Sequence, residues 1–339
     1  MVVDVSEIKD FRHCKRKWQL ASRNSFHLRP KVTPKAFKIG TVFHECLHKL
    51  YLGKDKDEVL EYMRNEMSEP TDDQKDVTIL TSMVRGYAEE VIPLDLERFE
   101  ILDIEYHFRF EPYDVMLELG IDPDTFPGMK WLEGVEVAGS IDMIARERAT
   151  NKIWGFEHKT AKNFRNDTFL WMDEQPRVYY VALMLWIMDY NNWKMVEDAH
   201  RRKKQREEGK TAEQGQEGFF PVSVGGVYIN EVRKLVRSFE TKRSALSYEE
   251  SDIRNFMISF FTSCGECHKM VQNEGIPRVP QPDMMTCATC MFNTLCQRYQ
   301  YADVSSESIL KDFEDDFKVR ESDHLEDKEQ VSKEATNEI

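Results

Sequence analysis

The feature that most constrains the fold is a change of hydrophobic period near residue 102. From Leu102 to Phe110, apolar residues alternate strictly with Asp103, Glu105, His107 and Arg109. Such alternation is typical of a half-buried strand, because successive side chains of a strand point to opposite faces. Before this point the apolar spacing is helical. The chain must therefore combine helices with a sheet.

Further strands are predicted later in the chain. Gly134–Arg148 and Lys152–Lys159 are predicted strands, and Asn151 between them suits the turn of a hairpin. Val222–Ile229 is predicted to be another strand. The predicted helices are Ser6–Ser22, Thr41–Leu52, Lys56–Met67, Asp72–Val91 (ended by Pro93), Glu174–Tyr190 and Ser247–Asn273. The sequence therefore predicts an α/β fold.

Charge is distributed unevenly along the 339 residues. The net charge is −14, and −8 of it lies in 303–339, where 13 acidic residues outnumber 5 basic ones. We predict one domain over 1–302 and a disordered acidic tail over 303–339. Within the domain, a charged insertion at about 198–218 is predicted to form an exposed loop over His200–Gly218.

The composition also excludes several classes of protein. Overall acidity excludes a generic basic nucleic-acid-binding protein. No apolar run approaches the roughly 18 residues that span a bilayer. No secretory signal pattern opens the chain, so we expect a cytoplasmic protein.

The predicted hairpin carries three residues suited to metal-dependent chemistry. Strand parity places Glu157 and Lys159 on one face, with their Cα atoms about 6.6 Å apart, while Asp142 points away from Ile141 and Met143. Two carboxylates suit a divalent cation such as Mg²⁺ or Mn²⁺. A lysine beside them can act on water or on a phosphate. The alternative is an ordinary exposed strand face, which carries the same residue types.

Two helices offer further polar candidates. His44 shares a helix face with Leu47 and His48, and it suits either a metal ligand or a hydrogen-bonded core residue. Gln175 and Tyr179 are four residues apart at the start of an apolar helix, so they share one face. A helix terminus and a core tyrosine explain this second pair equally well.

The cysteines indicate metal binding rather than a disulfide framework, because there are only seven of them and they are clustered. Four thiolates suit an iron–sulfur cluster or a zinc site. The first candidate set consists of Cys14, Cys287, Cys290 and Cys296. The second set, whose spacing fits a zinc ribbon, consists of Cys264, Cys267, Cys287 and Cys290. Spacing alone leaves both sets open.

Positive charge is concentrated in two short segments. The first cluster consists of Lys15, Arg16, Lys17, Arg23 and Arg29. The second cluster consists of Arg201, Arg202, Lys203, Lys204 and Arg206. Either cluster could neutralise backbone phosphates of DNA, or form an ordinary solvated surface.

Taken together, these segments resemble the PD-(D/E)XK nuclease superfamily, in its RecB-like branch with an iron–sulfur cluster. That branch includes the AddB nuclease domain, the CRISPR-adaptation exonucleases and phage-encoded relatives. The matching motifs, in the family's order, are Phe11…Cys14…Trp18, Gly40…His44, Gly139-Ser140-Ile141-Asp142, Glu157-His158-Lys159-Thr160, Gln175…Tyr179 and Cys287…Cys290…Cys296. Pro176 departs from the helix pattern after Gln175, and Cys264 and Cys267 have no counterpart.

The resemblance implies a restriction-endonuclease-like mixed central sheet flanked by helices, with a helical iron–sulfur-bearing element formed by both chain ends. It implies a metal-dependent DNA exonuclease acting at ends or on single strands. The setting would be recombination, repair or DNA processing in the cytoplasm of a bacterium or a phage-infected host. The alternatives are a catalytically idle DNA-binding scaffold with a nuclease fold, and a zinc-ribbon interaction protein. The acidic tail would mimic DNA or bind a protein partner.

The resemblance also implies roles for individual residues. Asp142 and Glu157 would ligate Mg²⁺ or Mn²⁺, with His44 and the backbone carbonyl of His158 as further ligands. Lys159 would be the catalytic lysine. The remaining implied site residues, which would contact DNA or brace the site, are Gln175 and Tyr179. The first cysteine set would hold a [4Fe–4S] cluster that serves as a structural staple.

Overall fold

The computed structural model describes residues 1–31, 35–68, 73–207, 221–236, 238–272, 287–298, 308 and 311–320. Within them the chain forms two compact units, each assembled from separate stretches. The first unit consists of Met1–Thr41, His107–Ser140 and Glu249–Ile339, and the second of Val42–Tyr106 and Ile141–Tyr248. The boundary near residue 302 stays a prediction.

The fold is α/β, with a mixed central sheet flanked by helices, which confirms the predicted fold class. The described strands are β1 Val2–Val3, β2 Leu28–Pro30, β3 Phe99–Phe110, β4 Glu136–Glu147, β5 Lys152–Ala161, β6 Ser223–Arg233, β7 Thr241–Leu246 and β8 Phe317–Val319. The described helices are α1 Val5–His13, α2 Lys15–Ala21, α3 Lys35–Tyr51, α4 Lys56–Glu66, α5 Gln74–Gly86, α6 Ile92–Arg98, α7 Pro112–Glu118, α8 Asp167–Met172, α9 Glu174–Glu207, α10 Glu250–Gln272 and α11 Asn293–Arg298. None of these helices is long and apolar enough to cross a membrane.

In the second unit the sheet has the order β4, β5, β6, β7, and β3 also pairs with β4. Strands β4 and β5 form the predicted antiparallel hairpin, and Asn151 occupies its turn with φ of 57°. Strand β6 runs parallel to β5, with Lys159 paired to Glu231, and β7 pairs antiparallel to β6, with Asn230 opposite Arg243. Helices α8 and α9 form the crossover that a parallel pair requires. This register sets polar residues of three strands beside one another.

The first unit contains an ordered part of the predicted tail. Strand β8 pairs antiparallel to β2. Phe313 and Phe317 are buried in a core with residues from α2, β2 and α11. The other members of this core are Leu20, Leu28, Phe292 and Leu295. The prediction of disorder is therefore wrong for 311–320, because two phenylalanines among the acidic residues have an apolar surface to pack against. Residues 321–339 lie outside the described part of the chain.

Several helix boundaries differ from the sequence prediction, and α3 begins at Lys35 rather than at Thr41. The predicted helix Ser6–Ser22 is broken at Cys14, which has extended backbone angles and caps both α1 and α2. Pro93 does not end the helical run, since it lies in the first turn of α6, where a missing N–H is tolerated. The loop predicted from His200 is wrong for 200–207, because α9 continues to Glu207. Residues 208–220 are not among those described.

Candidate active site

Asp142 lies on β4 and is held from two sides. Its Oδ2 accepts a hydrogen bond of 2.7 Å from the backbone N–H of His158 and lies 3.4 Å from His44 Nδ1 on α3. Burial raises the pKa of Asp142, but the charges and hydrogen bonds of His44 and His158 outweigh it, and the net shift is downward. For His44, burial lowers the pKa and Asp142 more than reverses it, so the net shift is upward.

Glu157 lies two positions before Lys159 on β5 and is 3 % exposed. Its Oε1 contacts Lys159 Nζ and accepts a hydrogen bond of 3.2 Å from Gln175 Nε2. The same Gln175 nitrogen donates to the hydroxyl of Tyr179 at 2.6 Å. Tyr179 is only 5 % exposed. For Tyr179, this geometry therefore favours bracing of Glu157, through Gln175, over contact with DNA.

The two carboxylates act on each other through space. Burial raises the pKa of Glu157, and the negative charge of Asp142 raises it further, although Lys159 opposes both effects. For Lys159, burial lowers the pKa and Glu157 more than reverses it. The site therefore holds two mutually repelling carboxylates, with the ammonium group of Lys159 beside Glu157 and the imidazole of His44 beside Asp142.

The donor set suits a divalent cation. Among the described residues, no group of three or more His, Cys, Asp or Glu side chains is arranged to hold a metal ion as it stands. The chemistry nevertheless fits, since carboxylate oxygens such as those of Asp142 and Glu157 are the ligands that Mg²⁺ or Mn²⁺ prefers. A cation between Asp142 and Glu157 would relieve the repulsion that raises the pKa of Glu157.

Comparison with known families places the chain in one superfamily. A sequence model of the PD-(D/E)XK nuclease superfamily matches residues 3–297. The chain belongs to the PD-(D/E)XK nuclease superfamily. Its members typically use a divalent metal, and membership indicates a phosphodiester hydrolase acting on nucleic acid. No curated protein matches the chain.

Behind the motif of this PD-(D/E)XK chain lies a buried polar network that the sequence did not reveal. Asn230 Nδ2 lies 3.3 Å from His158 Nδ1, and Asn230 Oδ1 accepts a hydrogen bond of 2.6 Å from Arg243 Nε. Arg243 also donates two hydrogen bonds to Asp95, at 2.5 and 2.8 Å. The network thus runs from α6 through β7 and β6 to the residue whose backbone N–H holds Asp142.

Two tyrosines complete this network. The hydroxyl of Tyr51 donates to Asp95 Oδ2 at 2.6 Å and lies 3.2 Å from the hydroxyl of Tyr87. Tyr87 in turn lies 3.3 Å from His158 Nδ1. Burial lowers the pKa of His158 to about 4, so its imidazole is neutral at pH 7. No local pattern identifies Asp95 or the tyrosines, since each resembles an ordinary helix residue in the sequence.

Arg243→Ala should cost about 3–5 kcal/mol of unfolding free energy, because it leaves the carboxylate of Asp95, 1 % exposed, buried without its charged partner. Arg233→Ala is the matched control. Arg233 pairs at 2.6 Å with Glu240, and both side chains are partly exposed, so the expected cost is no more than about 1 kcal/mol. Urea unfolding measures both values. If both variants lost the same free energy of unfolding, the buried pair of Arg243 and Asp95 would stabilise the fold no more than the exposed pair does.

A second set of missed residues lies on the face of β6 beside Lys159. Glu231 is 1 % exposed and accepts hydrogen bonds from the backbone N–H and the Nε of Arg165, at 3.1 and 2.8 Å. The predicted strand ended at Ile229, whereas β6 continues to Arg233. Glu231 and Arg233 follow the predicted end of the strand, and these two charged residues were the signal in the sequence that could have located this set.

The first cysteine set lies within the first unit. Cys14 joins α1 to α2, and the other three cysteines lie at or just before α11. Burial raises the pKa of Cys296, and the thiols of Cys14, Cys290 and Cys287 raise it further, whereas Arg16 lowers it. All seven cysteines lie in the described part of the chain, and none forms a disulfide. No iron–sulfur site is apparent among the described residues.

The structure describes the side chains of the first basic cluster only. In the first, Arg16 is 3 % exposed and donates to Gln19 Oε1 at 2.7 Å, so the prediction of a surface phosphate contact is wrong for this residue. Its neighbour Lys17 pairs with Asp10 at 2.5 Å. The side chains of the second cluster lie outside the described part of the structure.

Proposed function

We propose that this protein is a metal-dependent nuclease that hydrolyses phosphodiester bonds of DNA at ends or in single strands. The observation that carries the proposal is the convergence of Asp142, Glu157 and Lys159, with His44 beside them, in a chain of this superfamily. We place the reaction in recombination, repair or DNA processing.

The proposal gives each residue the role that the resemblance to the superfamily implies. Asp142 and Glu157, with His44 and the carbonyl of His158, would hold Mg²⁺ or Mn²⁺. When bound, such a cation lowers the pKa of a water molecule and offsets charge on phosphate oxygens. The ammonium group of Lys159 lies beside Glu157 and would donate hydrogen bonds to the phosphate oxygens as their charge grows.

The surrounding polar groups fix the two carboxylates. The backbone N–H of His158 orients Asp142, and Gln175 orients Glu157. Fixed donors of this kind need little rearrangement when the reaction occurs, which is how preorganised sites accelerate reactions. These contacts support catalysis over an idle scaffold, since a scaffold has no need of oriented carboxylates.

The proposal includes a [4Fe–4S] cluster at Cys14, Cys287, Cys290 and Cys296, with zinc as the alternative ion at the same residues. The support is electrostatic and structural. Burial raises the pKa of Cys290, and the thiols of Cys14 and Cys287 raise it further. In addition, α2 and α11 share one apolar core. Four neighbouring thiolates suit such a cluster, which would tie the two chain ends together.

The competing zinc ribbon receives less support. Cys264 and Cys267 are fully buried on α10, whereas ribbon ligands lie in turns. Burial raises the pKa of Cys267, and the further contributions come from Glu7 and Cys264.

Digestion of single-stranded, linear double-stranded and circular double-stranded DNA tests the proposal. With Mg²⁺ or Mn²⁺, we expect degradation of substrates that have free ends or single strands, and intact circular duplex. A chelator should stop the reaction, and added metal should restore it, because the metal supplies the activated water. Absence of cleavage on all three substrates would favour the scaffold.

A further inference from the structure

Helix α8 belongs to a segment whose two ends, Arg165 and Gln175, are hydrogen-bonded to residues of the candidate site. Before the helix, Arg165 is bonded to Glu231, the register partner of Lys159. After the helix, the backbone N–H of Gln175 donates to Asp173 Oδ1 at 3.1 Å. The side chain of Gln175 donates to Glu157. Arg165 and Asp173 also pair with each other at 3.4 Å. The helix therefore lies directly beside the candidate site.

Contacts with β7 and the segment after it fix α8 in one orientation. Asp167 Oδ1 accepts hydrogen bonds from Lys242 Nζ and from Ser244 Oγ, both at 2.7 Å. Trp171 Nε1 donates to the carbonyl oxygen of Ser247 at 3.3 Å. These bonds use the polar groups of the helix and hold its backbone in place.

The fixed helix presents apolar side chains to solvent. Phe169 is 73 % exposed and Met172 is 59 % exposed. A single exposed apolar residue is ordinary, but here two of them lie on a short, fixed helix beside a candidate active site. Three cationic groups lie along this segment, and each has a partner: Arg165 and Lys242 pair with carboxylates, and Arg177 lies over the ring of Trp171. An exposed aromatic ring on a helix that is bonded to the candidate site of a nuclease-superfamily chain suits a nucleobase, because bases stack on aromatic rings.

We infer that α8 is a base-binding element, on which Phe169 stacks against an unpaired nucleobase next to the phosphate in the site, with Met172 alongside. The inference rests on the proposed function, because it takes DNA as the ligand. It narrows the substrate to strands whose bases are unpaired at the site, which are single strands and frayed ends. Apolar side chains that contact separated bases act in this way in other nucleic-acid complexes.

Fluorescence anisotropy with a labelled single-stranded oligonucleotide, measured in chelator, tests the inference without requiring cleavage. Phe169→Ala should weaken binding by about tenfold, and Phe169→Trp should restore it. Trp193→Ala is the control: this tryptophan is 56 % exposed on α9. It lies 18 residues beyond Gln175, about 27 Å along the helix, and its replacement should leave binding unchanged.

An oligonucleotide with abasic positions tests stacking itself. Wild type should bind it about tenfold more weakly than the intact strand, and Phe169→Ala should bind both alike, because the stacking partner is already missing. Unchanged binding of the intact strand by Phe169→Ala would overturn the inference. The inference would also be overturned if Phe169→Ala lost the same affinity for the intact and the abasic strand, or if it changed the oligomeric state while DNA binding stayed unchanged. Strong, Phe169-dependent binding without any cleavage by wild type would reject the proposed nuclease activity alone.

Discussion

Lys159→Ala is expected to lower the rate of DNA cleavage by about 10³-fold, while DNA binding and folding stay close to those of wild type. The substitution removes the ammonium group beside Glu157, which is the group positioned to act on phosphate oxygens. The binding residues inferred on α8 are untouched. Single-turnover cleavage rates, with circular dichroism as the folding check, measure this effect.

Lys152→Ala is the matched control for this prediction. Lys152 begins the same strand, and its side chain is exposed, so the same charge is removed from β5 outside the site. Its cleavage rate should equal that of wild type. If Lys159→Ala also cuts at that rate, Lys159 has no part in the chemistry.

Cys290→Ser is expected to remove the iron of the proposed cluster and to lower the free energy of unfolding by about 4 kcal/mol or more. The reason is that metal-binding free energy contributes directly to folding free energy. Cys290 packs against the core shared by α2 and α11, so its loss would loosen both chain ends. Absorbance near 400 nm after anaerobic purification, iron content and urea unfolding would report the change.

Cys264→Ala serves as the matched control, because Cys264 is fully buried and belongs only to the competing zinc-ribbon set. This variant should keep its iron and its brown colour, with a small loss of stability from the shortened side chain. A colourless wild type containing zinc would select the alternative ion. Loss of metal from Cys264→Ala, with retention in Cys290→Ser, would contradict the proposed ligand set.

The parts of the site that the sequence predicted are those set by local geometry. Strand parity alone put Glu157 and Lys159 on one face, and helical spacing put Gln175 beside Tyr179. In the structure these pairs do contact each other. Asn151 likewise signalled the hairpin through its tolerance of positive φ.

The parts that the sequence did not predict depend on contacts between distant segments. Asp95 and Arg243 are 148 positions apart, and neither lies in a pattern that distinguishes it from a surface residue. Their pairing follows only when α6 and β7 are packed. The same holds for Phe317, whose burial against β2 and α11 is hidden within an acidic tail.

A crystal soaked in Mn²⁺, measured at the manganese absorption edge, tests the central claim most directly. We expect one strong anomalous peak within bonding distance of the carboxylates of both Asp142 and Glu157, and loss of that peak in Asp142→Asn. A peak elsewhere, with none between these two residues at saturating Mn²⁺, would contradict the assignment of the site.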